Sequence, residues 1–564
     1  MKKTLTVASL ISLSLAVAAG CASPQTRTDS EPSESRRQIE QVEQYAKFEV
    51  ELADGDGDVT ARFVEPDGDE VSVGGFDDGE RRMVRFTPVE LGGYTYTVVD
   101  EAGATLADGE FESVDADRAG FVRIDPEGGY PGLEHDDGSP FVLLGENRIN
   151  IYDPSWNWRQ KDIDEYVAYM AENGMTTLRV FVFSDCESEE VDDGVQPGCL
   201  EPEVGEFDPE VAQRFDEIFE AAEDEGIYVV LVPYAVGFSP DDTWKSWEDN
   251  PYSAERGGPA EDRFAFFDDA EVRDAAFERF RYVVNRWGYS PNLVAIDLLN
   301  EPEWDGEISE ETWTPWAREM ADRIEQIDPY DHLITVGPVG LHWNIEGDEH
   351  AWWGDERNDL VQWHRYGPDT YDVHDLAAEL SFRTEESRRH DKPIFAGEFG
   401  YGGDPSPNYD HTQVGIWSLT MSGAGALAHS APPFNVDSDE YMTPERAAHF
   451  SALRTFLEPL LEHAPLFPDP VRDLAEPGAR MWKLRGDDAL ALWIMAAKEG
   501  YTDTAEDMTV DVHLPKGTWE IEWVDDTTGE VVGTQTTTSA GQRVVVSVPD
   551  FERHIAARII RAAG

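Results

Sequence analysis

Along residues 43–127 apolar and polar positions alternate with a period of two, in KFEVEL, VTARFVE, RMVRFTP and YTYTVV. Gly/Asp-rich turns (DGDGD, PDGD, GGFDDGE, LGG) separate these runs. Alternation puts one face of each strand on a core and the other in water. The pattern predicts a small antiparallel β-sandwich. From about 128 to 463 the pattern changes to short, almost wholly apolar runs. They are FVLLG (141–145), TLRVFVF (177–183), IYVVLVP (227–233), LVAIDLL (293–299), LITVG (333–337), LVQWH (360–364), PIFAG (393–397) and GALAH (425–429). Runs without alternation fit parallel strands buried on both faces. Segments of helical period lie between them. One has Asp208 as cap, Pro209 in the first turn, a stripe of Val211, Phe215, Ile218, Phe219 and Ala222, and Gly226 as stop. Thr314-Pro315 and Thr443-Pro444 open two others. Eight such runs with intervening helices is the count of a (β/α)8 TIM barrel. A doubly wound open sheet is the alternative, but no glycine-rich phosphate turn follows the first run. After 464 short alternating strands return, in RMWKLR, ALALWIMAAK, MTVDVHL, WEIEWVD and RVVVSVP, and predict a second sandwich.

The N-terminus adds two further segments. Lys2 and Lys3 precede an apolar run from Leu5 to Ala19, too short to span a bilayer, as in an export signal. Its end, Val17-Ala18-Ala19-Gly20-Cys21, resembles the bacterial lipoprotein signal, with Cys21 as the acylated residue; Ala18 stands where that signal usually has Leu. An ordinary signal with Cys21 left free is the other reading. The Ser/Pro/Thr/Glu-rich stretch that follows has tether composition. The expected division is a signal over 1–20, Cys21 and a tether over 21–42, a sandwich over 43–127, the barrel over 128–463 and a sandwich over 464–564. The signal places the protein on the bacterial cell envelope, touching the membrane only through a lipid at Cys21. A monomer is expected.

Composition changes the picture of the surface and not of the core. Asp+Glu number 116 against 44 Lys+Arg, a net charge of −72. So acidic a chain offers no footprint for nucleic acid or for anionic lipid headgroups. With 40% hydrophobic and 11% aromatic residues it is not a disordered acidic chain. The acids run along the whole length, which fits a surface adapted to high salt. Cys186 and Cys199 share one acidic loop, and export permits a disulfide there. A bridge of that span is worth about 3 kcal/mol in the chain-entropy model; two free thiols are the alternative. Asp54, Asp56, Asp58 and Glu65 superficially match a calcium loop, but Val59 stands where the loop needs glycine, so a plain turn is expected. No metal or organic cofactor is expected.

In a barrel, reactive groups sit where strands run out into the following loops. The fourth run ends Asp297-Leu298-Leu299-Asn300-Glu301-Pro302 and the seventh ends Ala396-Gly397-Glu398-Phe399-Gly400. A carboxylate at each of two nearly opposed strand ends is what glycoside hydrolysis requires. Asp297, inside an apolar run, needs an interior partner and reads as structural. LLNEP and FAGEFG resemble the two glutamate motifs of the clan A retaining glycoside hydrolases, closest to the family 5 cellulase and β-mannanase group. The resemblance covers the whole barrel. It implies Glu301 as general acid and then base, with a raised pKa, and Glu398 as ionised nucleophile, the carboxyls about 5–5.5 Å apart. It further implies Arg179 beside the nucleophile, Asn300 on the sugar 2-hydroxyl, and His364 and Tyr366 of WHRYG in the site. VSVGGFDDGE, RFTPVELGGYTY and GFVRIDPEGGY resemble uncharacterised sandwich modules that precede such barrels.

Tryptophans crowd the loops: Trp156, Trp158, Trp304, Trp343, Trp352 and Trp353. Aromatic faces stack on sugar rings, and Trp158, Trp304 and Trp343 are the candidates for that role. The family places a tryptophan at the end of strand eight, whereas this chain has GALAHSAPPFNVD. His429 is the substrate-facing candidate there, with Phe434 as an alternative aromatic. The function expected is a retaining hydrolase of a β-mannan or β-glucan. A non-catalytic surface glycan-binding protein is the alternative, which loss of either carboxylate would have favoured. No G-x-S-x-G elbow or H-E-x-x-H motif supports an acyl or zinc hydrolase.

Overall fold

The apolar runs form eight parallel strands: β1 (Leu144–Arg148), β2 (Thr177–Phe181), β3 (Tyr228–Val232), β4 (Leu293–Asn300), β5 (Leu333–Gly337), β6 (Val361–Gly367), β7 (Ile394–Tyr401) and β8 (Gly425–His429). The computed structural model describes residues 39–562 except 54, 56, 149–162, 183–189, 192–193, 196–198, 236–237, 239–246, 304–306, 339–350, 368–371, 402–409, 430–442, 475–478 and 499–500. The strands are hydrogen-bonded in the order β5-β4-β3-β2-β1-β8-β7-β6. The two ends of that series meet at β5 and β6. There the Asp359 N–H donates to Ile334 O at 2.9 Å, Asp359 Oδ2 accepts the Ile334 N–H at 2.8 Å, and Thr335 Oγ1 donates to Leu360 O at 2.9 Å. The result is a TIM barrel.

Helices α1 (Ile163–Glu172), α2 (Pro209–Glu225), α3 (Ala270–Trp287), α4 (Glu310–Glu325), α5 (Val373–Ser387), α6 (Asp410–Met421) and α7 (Pro444–Leu461) cover the strands. In α2, Asp208 accepts the N–H groups of Glu210 and Val211, and Gly226 stops the helix at φ 69°. Thr443 caps α7 through the Arg446 N–H. Two expectations are corrected. Helix α4 begins at Glu310 after Ser309, so Pro315 lies inside it rather than opening it; its buried face of Trp313, Trp316 and Met320 holds the helix together across that point. Between β5 and β6 the described residues contain no α-helix, only a 3-10 turn at Ala351–Gly354 that buries Trp352 and Trp353.

Strand β1 starts three residues later than its run. Phe141 and Leu143 pack instead with Val122 and Leu133, from the hairpin of 122–124 and 133–135, against Val230, Val294, Leu333, Phe395 and Leu427. These five lie in or at the start of the barrel strands, so the hairpin and the residues before β1 close the barrel end remote from the strand C-termini. Before the hairpin, a five-stranded sheet ordered 40–43, 105–114, 92–100, 59–64, 70–74 and a three-stranded sheet enclose Phe48, Phe63, Phe86, Tyr94 and Phe111. It is not wholly antiparallel, because Glu40–Glu43 pairs parallel with 111–114 and buries Val42. Asp58, next to the acidic turn, accepts from Arg281 Nη1. Arg85 ties the sheets to the barrel, sharing Asp216 of α2 with Arg286 of α3.

After α7 a seven-stranded sheet and the pair 509–514 and 542–547 enclose Leu492, Ile494, Trp519, Trp523 and Ile559. Trp482 Nε1 donates to Ser381 Oγ of α5 at 2.8 Å and Arg558 Nη1 to Thr455 O of α7 at 2.9 Å. No helix among the described residues is long and apolar enough to cross a membrane, and the export segment with Cys21 lies outside the described residues.

The β5–β6 seam carries a testable cost. Burial pushes the Asp359 carboxyl up to about 6, although the Ile334 N–H and Lys392 favour its ionised form. A carboxyl raised in the folded state binds more protons there than in the unfolded chain, so stability falls as pH rises from about 4 through 6. Asp359→Asn keeps the acceptor for Ile334 and removes the charge. It should stabilise the protein at pH 7 by about 1–2 kcal/mol, after allowance for partial exposure. The gain should vanish below about pH 4; urea denaturation of both proteins across pH 4–7 measures it.

Candidate active site

Polar side chains project inward near the C-terminal ends of the strands and meet around one cation. Arg179 on β2 is fully buried. Its Nε and Nη2 donate to Asp297 Oδ2 on β4 at 2.9 and 2.7 Å. Its Nη1 donates to Asn147 Oδ1 on β1 and to Glu398 Oε1 on β7, both at 2.8 Å. Its Nη2 also donates to Asn300 Oδ1 at 2.7 Å. Burial alone would lower the Arg179 pKa, but Asp297 and then Glu398 outweigh it and hold the guanidinium above its ordinary value. The site therefore contains a permanent cation with two carboxylates on it.

Local irregularities aim the two glutamates. On β7 the pairing with β6 runs from Trp363↔Ala396 directly to His364↔Glu398, so Gly397 is the extra residue of a bulge. A Cβ on Gly397 would sit 1.9 Å from Gln362 Oε1, so the bulge admits only glycine without displacing that side chain. Glu301 follows β4 with φ 45°, left-handed for a non-glycine residue, at a cost of about 1–3 kcal/mol. Its N–H donates to Gly337 O at 2.7 Å, and the Asn300 N–H donates to Tyr234 O at 2.9 Å.

His364 on β6 stands between the carboxylates. Its Nδ1 lies 2.7 Å from Glu301 Oε1 and 3.7 Å from Glu398 Oε1. One polar atom each of Glu301, His364 and Glu398 lies within 4.8 Å of the others, and all three residues are buried. A divalent cation could bridge such a set, yet Arg179 already donates to Glu398 Oε1 and would repel it. The arrangement suits proton transfer and nucleophilic attack better than metal binding.

The structure thus brings together Glu301, Glu398, Arg179, Asn300 and His364. Tyr366 lies on β6 opposite Gly400, and His429 ends β8 opposite Asn147; only their backbones are described. Trp158, Trp304, Trp343 and Phe434 lie outside the described residues, as do Cys21 and Cys186. Cys199 is buried and disulfide-bonded. Trp352 and Trp353 pack in the core, with Trp353 Nε1 donating to Gln362 O at 2.9 Å. Sequence reasoning missed Asn147, Gln362 and the Gly337 peptide. The available signal was a polar residue in or beside an apolar strand, which must find a partner inside.

A family model for cellulase, glycosyl hydrolase family 5, matches residues 136–427. The chain is 27% identical over 216 residues to mannan endo-1,4-beta-mannosidase A of Podospora anserina, covering 36% of this chain and 53% of that protein. It is 26% identical over 269 residues to mannan endo-1,4-beta-mannosidase 3 of Oryza sativa subsp. japonica, covering 44% and 52%. The chain spans about half the length of these curated relatives. Among solved structures, a protein of Bacteroides vulgatus ATCC 8482 provisionally assigned as a glycoside hydrolase superposes with a TM-score of 0.64 at 17% identity, covering 93% of this chain and 100% of that one. A family 5 glycoside hydrolase of the same organism gives 0.52 at 15% identity, covering 78% and 94%. These two likenesses show the fold.

Proposed function

The chain belongs to glycosyl hydrolase family 5, and on that premise we propose that it is a retaining hydrolase of β-1,4-mannan that cuts within the polymer. The observation that carries the reading is the buried pair Glu301 and Glu398, with polar atoms within 4.8 Å, an arginine on one and a histidine on the other. That spacing suits double displacement, because it leaves no room for a water between carboxylate and sugar. In the first step Glu301 gives its proton to the glycosidic oxygen as Glu398 bonds to the anomeric carbon, and the leaving chain departs as an alcohol. In the second, Glu301 takes a proton from water, the water oxygen attacks that carbon, and the ester to Glu398 breaks. Arg179 keeps Glu398 ionised and oriented. Asn300, with its oxygen on Arg179, turns its amide hydrogens to the sugar 2-hydroxyl.

Mannan is favoured by the endo-mannosidase relatives, and a neutral polymer suits a chain of net charge −72. Trp158, Trp304 and Trp343 follow β1, β4 and β5 in sequence and supply stacking faces, with Tyr366 and His429 completing the sugar contacts. The sheets before and after the barrel are sandwich modules. The protein is exported and anchored through Cys21, and works as a monomer in salt-rich surroundings; the signal-like start and the distributed acids support this setting.

The test is an assay of the full chain, in molar NaCl, against β-mannan, β-glucan and xylan, scored by reducing ends and product length. Oligosaccharides released from mannan are expected. Release from glucan alone would redirect the substrate, and no release from any glycan would overturn the reading.

A further inference from the structure

We propose that Asp297, which does not touch the reacting atoms, is the positioning residue that registers Glu301 and Glu398 against each other. The inference rests on the roles given to those two glutamates above.

The Asp297 carboxylate is fully buried on β4 and is divided between two tasks. Oδ2 accepts from Arg179 Nε and Nη2 and from Gln362 Nε2, the last at 2.9 Å. Oδ1 accepts the Gly337 N–H at the end of β5, also at 2.9 Å. Each task leads to one glutamate. The Gly337 carbonyl accepts the Glu301 N–H at 2.7 Å, and this bond helps hold Glu301 at its left-handed φ of 45°. Arg179 carries the other arm, since its Nη1 donates to Glu398 Oε1 at 2.8 Å. One carboxylate therefore grips the backbone that places the acid and the cation that places the nucleophile. Gly337 can serve because it lacks a side chain. A Cβ there would lie 2.8 Å from His364 Nε2 and 3.0 Å from Arg179 Nη2.

The charge arrangement gives the role a second consequence. The single positive charge of Arg179 is shared by Asp297 and Glu398. Removing the negative charge of Asp297 leaves more of that attraction to Glu398, which then holds its charge to lower pH and attacks less readily. Among the described residues, Glu301 from the end of β4 and His364 from β6 also face Glu398. A structural ion pair of the same strength would stabilise the barrel without moving either glutamate.

The test uses Asp297→Asn in the full chain, which keeps the side-chain volume and one acceptor. The expected result is kcat lower by about 100-fold with KM within about threefold, the mark of an interaction realised in the transition state. The acid limb of kcat/KM against pH should move down by about one pH unit. Gln362→Met provides a second variant should Asp297→Asn fail to fold. Loss of the Gln362 donor draws Arg179 closer to Asp297 and away from Glu398, so the acid limb should move up. A folded Asp297→Asn with kcat within threefold of wild type and an unmoved acid limb would overturn the proposal, as would an unmoved limb in Gln362→Met. Absence of turnover in the wild type would instead sink the glycosidase reading on which it stands.

Discussion

Glu398→Ala should fold normally and lose at least about 10⁴-fold in kcat/KM on its glycan, roughly 5.4 kcal/mol of transition-state stabilisation. The expectation follows from what each partner of Glu398 retains. Arg179 still has Asp297 through two hydrogen bonds, so the substitution leaves no orphaned buried cation. Asn147 and Asn300 likewise keep their bonds to the guanidinium. What is lost is the carboxylate whose oxygen would bond to the anomeric carbon, together with its contacts to Arg179 and His364. The unfolding midpoint should therefore stay near that of the wild type while reducing-end release stops. A small anion such as azide, admitted to the vacated space, should restore part of the turnover and give a product of opposite anomeric configuration. Activity within tenfold of wild type would remove Glu398 from the chemistry.

Arg179→Ala should damage both stability and rate, and its stability cost should depend on pH. The side chain is fully buried and bonded to Asp297, Glu398, Asn147 and Asn300. Its loss takes the arginine charge from two buried carboxylates, which costs about 3–5 kcal/mol when one partner of a buried pair is removed. With the cation gone both carboxyls bind protons more tightly in the folded state than in the unfolded chain. Destabilisation should thus be largest at neutral pH and shrink as pH falls toward 4. The rate should fall on the order of 10²–10³-fold, the usual effect of deleting one preorganised donor. Arg179→Lys restores a charge but not the fork, since one ammonium cannot span four partners in a plane. It should recover most of the stability and little of the rate. Chemical denaturation at pH 5 and pH 7, with kcat for both variants, separates the two contributions.

Much of this arrangement is legible in the amino-acid sequence, and the exceptions have physical causes. β5 and β8 coincide with their runs, 333–337 and 425–429, although Thr335 and His429 interrupt the apolar pattern. β6 and β7 extend past theirs because their backbones stay paired with each other from His364↔Glu398 to Gly367↔Tyr401. β1 is displaced because Phe141 and Leu143 serve the barrel floor, a use that periodicity cannot distinguish from a strand. In the last sheet, Val531–Ser539 escaped notice because its exposed positions are largely threonine. His554–Arg561 escaped because its buried positions include His554 and Arg558 and do not alternate with exposed ones, as in a central strand between two neighbours. At the site, Glu301, Glu398, Arg179, Asn300 and His364 were visible as motifs at strand ends. Gln362, Asn147 and the Gly337 peptide were not, because their part depends on which face of the strand turns inward and on the backbone of a neighbour. Asp297 announced only that it needed a partner; that it joins two arms of the site is a property of the assembled barrel.

Double displacement by Glu301 and Glu398 fixes the anomeric configuration of the product. Proton NMR of the products formed in the first minutes on a β-1,4-mannooligosaccharide, before mutarotation, tests it most directly. The new reducing ends are expected to appear first as the β-anomer and only later to equilibrate. Initial release of the α-anomer would show single displacement by water and contradict it.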